Sequence, residues 1–170
     1  IFGCLRENDL FKNTWVIFTA DHGEMLGDHH MSQKNLFFEG SAHVPLLIMP
    51  PQGRSLPHNI SVEAPTDLVD IYPTILAMAG LSSPVSVSGK NLLEPVPMDR
   101  MFFGNSLNKN FCVMEEKVKL VYSAVGDHVL LFDLNTDPME QHNLAEDPAW
   151  QERKAKLWKL LLEHTAQYTP

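Results

Sequence analysis

The sequence predicts an α/β chain in two parts, and three patterns support this prediction. Short apolar, β-prone runs at residues 15–20 and 44–49 are typical of strands buried on both faces of a parallel sheet covered by helices. Four further β-prone runs, separated by turn residues, predict an antiparallel meander in the second half of the chain. An apolar stripe at helical spacing then predicts a terminal helix that closes this small sheet against the larger domain.

The composition is that of a globular protein. The chain has 170 residues, of which 44% are hydrophobic, so it is long enough to bury a sizeable core. A net charge of -8 without a basic cluster argues against nucleic acid as a partner, but not against an anionic substrate. No apolar run approaches the roughly 20 residues that cross a bilayer. Because Ile1 is not a natural start, we expect upstream sequence to be missing, and the compartment cannot be read from the amino terminus.

In the amino-terminal part, residues 1–12 are interpreted as the end of a helix that leads into the first strand. A polar loop at residues 21–34 is rich in His and Gly, which suits a site better than a core, and a short helix is predicted at residues 37–39 behind it. Residues 66–80 have the ends of a helix, with polar caps at the start and Gly80 as a left-handed stop.

In the carboxyl-terminal part, residues 81–98 are rich in Ser, Pro and Gly and form a connecting loop. The four strand runs are residues 101–104, 111–115, 118–124 and 128–134. Asp147 followed by Pro148 marks the start of the terminal helix. Its apolar stripe consists of Trp150, Leu157, Trp158, Leu161 and Leu162. The predicted domains are therefore residues 1–98 and residues 99–170.

The clearest chemistry lies at the end of the first strand, where Asp21, His22 and Gly23 follow the apolar run directly. Ligands collect at the carboxyl ends of strands in parallel sheets, and a glycine lets the backbone turn sharply beneath a bound group. A carboxylate and an imidazole at this position can bind one metal ion. On these three residues alone, a strand stop with an Asx-turn explains the pattern equally well.

The residues that follow resemble the sulfatase family of the alkaline-phosphatase superfamily. The family pattern is T-x-D-H/N-G, then L-G-x-H, a lysine, a short helix and V-P-L. Twelve residues match it in order: Thr19, Asp21, His22, Gly23, Leu26, Gly27, His29, Lys34, Glu39, Val44, Pro45 and Leu46. The resemblance extends through residues 69–80 and 131–145. It implies an alkaline-phosphatase-like sulfatase fold, of which this chain is roughly the carboxyl-terminal third.

The resemblance also implies metal-dependent hydrolysis of sulfuric esters, with a small molecule or a glycan as the substrate. Asp21 and His22 match family metal ligands, and Lys34 matches the lysine that contacts the substrate sulfate. The chemistry of these groups agrees, because an ammonium can hold a sulfuryl oxygen as negative charge develops on it. The resemblance points to calcium, although an imidazole ligand leaves magnesium, manganese or zinc open. Without the motif, Lys34 would be interpreted as an exposed loop lysine.

The family's nucleophile is absent from this chain. Sulfatases carry a formylglycine made from the cysteine of a Cys-x-Pro-x-Arg stretch, and neither Cys4 nor Cys112 begins such a stretch. Both cysteines are expected to be free, buried thiols. The family's two acidic metal ligands also lie upstream of the matched region. We therefore expect the chain to need the missing amino-terminal part of the same protein and to be inactive alone.

Two further functions stay open besides sulfuric ester hydrolysis. A phosphodiesterase or phosphonate monoester hydrolase of the same superfamily shares the Asp-His-Gly pair and the lysine. A non-catalytic remnant or a complementing subunit is the third. His29 and His30 either line the candidate substrate pocket, lie at the protein surface, or support the pocket residues without contacting the substrate. We interpret the acid and the tyrosine of the helix at 66–80 as structural. The cluster of Asp and Asn residues at 133–143 is interpreted as turn chemistry rather than a calcium site, because it lacks EF-hand spacing.

Overall fold

The computed structural model describes residues 1–34, 36–54, 60–107 and 109–167. The helices are α1 (Phe2–Glu7), α2 (Glu39–Ala42), α3 (Ile71–Met78) and α4 (Gln151–Ala166). The strands are β1 (Val16–Thr19), β2 (Leu46–Met49), β3 (Phe102–Ser106), β4 (Asn110–Glu115), β5 (Val118–Ser123) and β6 (His128–Asp133). Short 3-10 turns at Leu10–Lys12, Asp28–His30, Leu68–Asp70 and Pro148–Trp150 complete the regular structure of the described residues.

The internal contacts divide the chain into two units. One unit contains residues 1–21 and 44–95, and the other contains residues 22–43 and 96–170. The segment 22–43, which the sequence places before the domain boundary at residue 98, therefore packs with the carboxyl-terminal sheet. Within the first unit, α1 precedes β1, β1 pairs with β2, and α3 follows β2 in chain order.

The first two strands are present, but they do not pair with each other as parallel strands. β1 and β2 pair antiparallel, with Phe18 opposite Leu47. Cross-strand partners share one face of a sheet, and within this chain by itself these two side chains are 56% and 60% exposed. An apolar run records a preference for burial but carries no information about the direction of the neighbouring strand, so the sequence pattern could not determine this pairing.

Asp70, which directly precedes α3, has a structural role, as predicted. Asp70 is fully buried, and its carboxylate accepts from the backbone N–H of Asp67 at 2.8 Å and of Lys90 at 2.7 Å. Thr74 on α3 accepts from the N–H of Leu92 at 2.9 Å. Asp70 and Thr74 therefore tie the connecting loop to the helix. The predicted stop at the helix end is confirmed, because Gly80 has a φ of +71°.

Replacing Asp70 with alanine should lower the free energy of unfolding by about 3 kcal/mol, because two N–H groups lose a charged acceptor. Urea denaturation of the purified chain measures this change. Asp99→Ala is the matched control, since Asp99 is exposed and should change stability by less than about 0.5 kcal/mol. Equal denaturation midpoints for the two variants would contradict the structural role of Asp70.

The predicted meander is confirmed in the second unit. Its sheet has the order β3-β4-β5-β6, and every neighbouring pair is antiparallel. Helix α4 covers one face through contacts with β4 and β5. The core between them consists of Val113, Val118, Leu120, Leu131, Ala145, Leu157 and Leu161. Leu162 was wrongly placed in the buried stripe: it is 52% exposed, because one residue turns the helix by about 100° from Leu161.

Turn chemistry explains the acidic residues around the end of β6, as predicted. Asp133 accepts from the N–H of Asn135 at 3.1 Å and from the hydroxyl of Thr136 at 2.9 Å. Burial alone would raise the pKa of Asp133, but these hydrogen bonds outweigh burial and lower it. The predicted start of the terminal helix is also confirmed, because the Asp147 carboxylate accepts from the N–H of Ala149 at 2.9 Å.

Candidate active site

The first part of the candidate site follows β1 directly. The strand ends at Thr19, and the side chain of Asp21 is exposed just beyond it. His22 is half-buried, and its Nδ1 lies 2.7 Å from the carbonyl oxygen of Gly23. Because a carbonyl only accepts, Nδ1 is the donor of this hydrogen bond. Metal-binding histidines commonly have this arrangement, with the other ring nitrogen donating to a carbonyl.

Gly23 is required by a close approach of two backbone segments. Its N–H donates to the carbonyl of Ser41 at 2.8 Å. A Cβ on Gly23 would lie 2.1 Å from the carbonyl oxygen of Gly40, so a larger residue would force the two segments apart. The sequence interpretation, which credited Gly23 with a sharp turn, gave a different reason: Gly23 is not among the glycines with positive φ.

Lys34 stands at the base of a closed loop. The N–H of Met25 donates to the carbonyl of Gln33 at 3.1 Å, which closes the chain between them. Lys34 is the next residue, and its side chain is exposed. Its carbonyl accepts from the hydroxyl of Ser41 at 2.7 Å. The buried Ser41 therefore bonds to the backbone of both Gly23 and Lys34, and it holds the two segments of the candidate site together within the second unit.

Ser41 received no role from the sequence. Its hydroxyl and carbonyl contact residues that lie 7 and 18 positions away, and a serine two residues into a short helix carries no local sign of such contacts. Its neighbour Glu39 does match the family pattern, and this match is the signal that could have directed attention to α2.

The two histidines in the loop differ in their surroundings. The ring of His29 stacks on Phe38, with centroids 4.2 Å apart and an interplanar angle of 20°. Phe38 in turn packs with the buried Met25 and Phe132, which form a small apolar cluster between the loop and the sheet. His29 therefore has a packing contact, whereas His30 is exposed.

A buried ionic cluster joins α2 to the carboxyl-terminal sheet. Lys119 on β5 is 3% exposed, and its Nζ lies 2.6 Å from an oxygen of Glu39 and 2.6 Å from Oε1 of Glu140. The second contact is an ion pair rather than an aligned hydrogen bond. Oε2 of Glu140 accepts from the N–H of Glu39 at 2.7 Å. Burial acts to lower the pKa of Lys119, but the two carboxylates outweigh it and raise the pKa, so the ammonium stays charged.

Neither cysteine has the environment of a nucleophile. Both thiols are free, as predicted, but Cys4 is exposed rather than buried. Cys112 is buried in the second unit, and burial raises its pKa to about 12. A thiol with this pKa stays protonated at neutral pH and is not reactive.

The donors of this chain do not make a complete metal site. Within residues 1–34, 36–54, 60–107 and 109–167, no group of three or more His, Cys, Asp or Glu side chains is arranged to hold an ion. Asp21 and His22 offer two donors, whereas calcium takes about 6 to 8 oxygen ligands. The chemistry of the pair fits a divalent cation, but further ligands must come from elsewhere. In the same described ranges, no helix is long and apolar enough to cross a membrane.

The chain is similar in sequence to known sulfatases. Residues 1–81 match the sulfatase family model. Arylsulfatase K of Xenopus laevis is 33% identical over 165 residues, which are 85% of this chain and 30% of that protein. The uncharacterized sulfatase YidJ of Escherichia coli is 32% identical over 165 residues, which are 90% of this chain and 32% of that protein. The chain therefore spans about a third of the length of the curated relatives it matches.

Solved structures show the same relationship in the fold. The phosphonate monoester hydrolase of Agrobacterium radiobacter superposes with a TM-score of 0.76 at 31% identity, over 99% of this chain and 38% of that chain. The putative sulfatase YidJ from Bacteroides fragilis superposes with a TM-score of 0.80 at 25% identity, over 95% of this chain and 37% of that chain. The fold is that of part of an alkaline-phosphatase-like sulfatase. Sequence motifs, family match and fold agree, and the chain belongs to the sulfatase family.

Proposed function

We propose that this chain is part of a longer enzyme that hydrolyses sulfuric esters with the help of a divalent metal. The observation that carries the proposal is the pair of bonds from Ser41 to Gly23 and Lys34. Through these two bonds, Ser41 holds both Gly23, which follows the candidate metal ligands, and Lys34, the candidate substrate-binding residue. The similarity to Arylsulfatase K from several vertebrates supports sulfate esters as the substrate class.

Asp21 and His22 are the residues that would hold the metal. Asp21 would supply a hard anionic oxygen, and His22, whose Nδ1 contacts the carbonyl of Gly23, would supply an imidazole nitrogen. A divalent cation held there would supply positive charge that neutralises the ester oxygens and activates the nucleophile. The family resemblance favours calcium, with the remaining ligands and the formylglycine supplied by the amino-terminal part of the same protein.

Lys34 is the residue that would hold the substrate. Its backbone is fixed by Ser41 while its side chain is exposed, so the ammonium can reach a bound group without disturbing the loop. An ammonium has no lone pair and cannot bind a cation. Lys34 would hold a sulfuryl oxygen of the substrate, and this contact would strengthen as negative charge develops on that oxygen. The substrate alcohol is a small molecule or a glycan.

Hydrolysis of phosphonate monoesters or phosphodiesters is the alternative. The phosphonate monoester hydrolases of Agrobacterium radiobacter and Silicibacter pomeroyi share this fold with TM-scores of 0.76 and 0.80, at 31% and 28% identity. Their substrates also carry anionic oxygens, which the same metal pair and lysine can hold. A complementing subunit without its own chemistry is the third candidate, because the chain carries no Cys-x-Pro-x-Arg stretch.

Paired rate measurements distinguish these functions. The coding sequence upstream of Ile1 supplies the full-length protein, whose kcat/KM is measured on an aryl sulfate, an aryl phosphodiester and a phenylphosphonate monoester. We expect the aryl sulfate to be the best substrate, by at least about tenfold, and the 170-residue chain alone to hydrolyse none of them. A preference for the phosphonate ester would establish the alternative. Absence of turnover, together with absence of a nucleophile segment upstream, would favour the complementing subunit.

A further inference from the structure

The ionic cluster of Lys119, Glu39 and Glu140 is not explained by stability alone. Removing a lysine and a carboxylate from water is unfavourable, and apolar residues of similar size in such places are often equally or more stabilising. The neighbouring contact between Phe38 and Phe132 already attaches this segment to the sheet by apolar burial. A buried charge network beside an apolar contact therefore indicates that α2 must be held in one defined position on the sheet.

The network can meet that requirement because its contacts are directional. Apolar burial is proportional to area and allows one surface to slide on the other. By contrast, Glu140 accepts from the N–H of Glu39 at 2.7 Å, and Lys119 contacts the Glu39 carboxylate at 2.6 Å. These two bonds fix both the backbone and the side chain of the first residue of α2.

The position of α2 is transmitted to the candidate site over a very short distance. Ser41 lies two residues after Glu39 and bonds to Gly23 at 2.8 Å and to Lys34 at 2.7 Å. The carbonyl of Gly40 fills the space beside Gly23, so α2 cannot move toward Gly23 without a clash. A displacement of Glu39 therefore moves both segments of the candidate site.

We propose that Glu39, Lys119 and Glu140 are positioning residues, which hold α2 so that Ser41 sets the backbone of Gly23 and Lys34 for catalysis. The inference rests on the proposed function, and it adds three residues that act through α2 rather than on the substrate. Two of these residues belong to the carboxyl-terminal sheet region: Lys119 lies on β5, and Glu140 lies in the turn after β6.

The decisive variant is the double replacement Lys119→Met/Glu140→Leu in the full-length protein. It removes both buried charges together, so the fold keeps a filled apolar interior while Glu39 loses its two anchors. We expect the thermal midpoint to fall only slightly, because the Glu39 N–H loses one acceptor, and kcat of the folded protein to fall by about 10- to 100-fold, as a small misplacement of reacting groups produces. Metal content should stay unchanged. Hydrogen exchange of the Gly23 and Glu39 amides should accelerate at least about tenfold, because both lose protection.

Two further variants and a control complete the test. Glu140→Gln keeps an oxygen that can accept from the N–H of Glu39, and it should retain most of the wild-type kcat. Glu39→Ala removes a partly exposed carboxylate and supplies the same comparison if the double variant does not fold. Lys156→Met is the matched control, since it removes an exposed lysine that contacts Glu115 at 2.6 Å, and it should change neither kcat nor exchange at Gly23.

The positioning role fails if the double variant keeps wild-type kcat and wild-type exchange at Gly23. It also fails if kcat falls only in proportion to the folded fraction, because the cluster then acts through stability. The exchange measurement is independent of turnover. If the wild-type protein hydrolyses none of the esters, the proposed function fails, whereas exchange at Gly23 still decides whether the cluster positions this segment.

Discussion

Replacing Asp21 with alanine in the full-length protein should abolish both metal retention and turnover. The carboxylate is the anionic ligand that this chain offers, and the neighbouring imidazole is a neutral one. Calcium and magnesium are held by oxygen ligands, so a site that loses a carboxylate binds them much more weakly. Metal content after gel filtration and the initial rate on an aryl sulfate measure the two effects.

Asp28→Ala is the matched control for Asp21→Ala. Asp28 is an exposed acid in the same loop, within the 3-10 turn Asp28–His30. Its replacement removes the same charge, and we expect metal content and turnover within about twofold of wild type, as for a surface substitution away from special features. Wild-type metal content in Asp21→Ala would contradict the metal role of Asp21.

Replacing Lys34 with alanine should slow turnover by a factor on the order of 10² to 10³, as the loss of one preorganised donor to the transition state does. Metal content should hardly change, because an ammonium is not a ligand. The backbone bond from Ser41 to the Lys34 carbonyl survives this substitution, so the effect reports the side chain. Lys34→Arg should recover only part of the rate, because the broad planar guanidinium of arginine does not replace the compact ammonium of lysine.

The control for Lys34→Ala is Lys159→Ala, which removes an exposed ammonium from α4. It should leave the rate unchanged. Two results would reject the proposed role of Lys34. One is wild-type turnover in Lys34→Ala, and the other is a loss of rate that follows a loss of metal, which would show that Lys34 stabilises the site rather than the substrate.

Local patterns were sufficient for most of the secondary structure. The meander, the Asp147 cap of the 3-10 turn that leads into α4 and the stop at Gly80 were all predictable, because propensity, capping and turn chemistry act over a few residues. Errors arose where burial had to be inferred. Leu162 fits the apolar stripe but is exposed, since the pattern does not say how wide the covered face of the helix is.

Some residues of the candidate site were identified from the sequence, and others required the structure. Asp21, His22 and Lys34 were identified because they lie within a short, ordered motif, and their roles remain predictions until the variants are measured. The hydrogen bond between Nδ1 of His22 and the carbonyl of Gly23 could be identified only from the structure. Ser41 also required the structure, because its bonds to two separate loop segments leave no periodic pattern in the chain.

The sequence by itself determined the family, the order of the elements and the residues that carry the candidate chemistry, because motifs and local propensities are properties of neighbouring residues. Only the tertiary structure decided the antiparallel pairing of β1 with β2, the close approach that requires Gly23, and the cluster of Lys119 with Glu39 and Glu140. Glu39 lies 80 positions from Lys119 and 101 from Glu140. Contacts over such separations depend on how the whole chain packs, and no local rule encodes which charged residues meet.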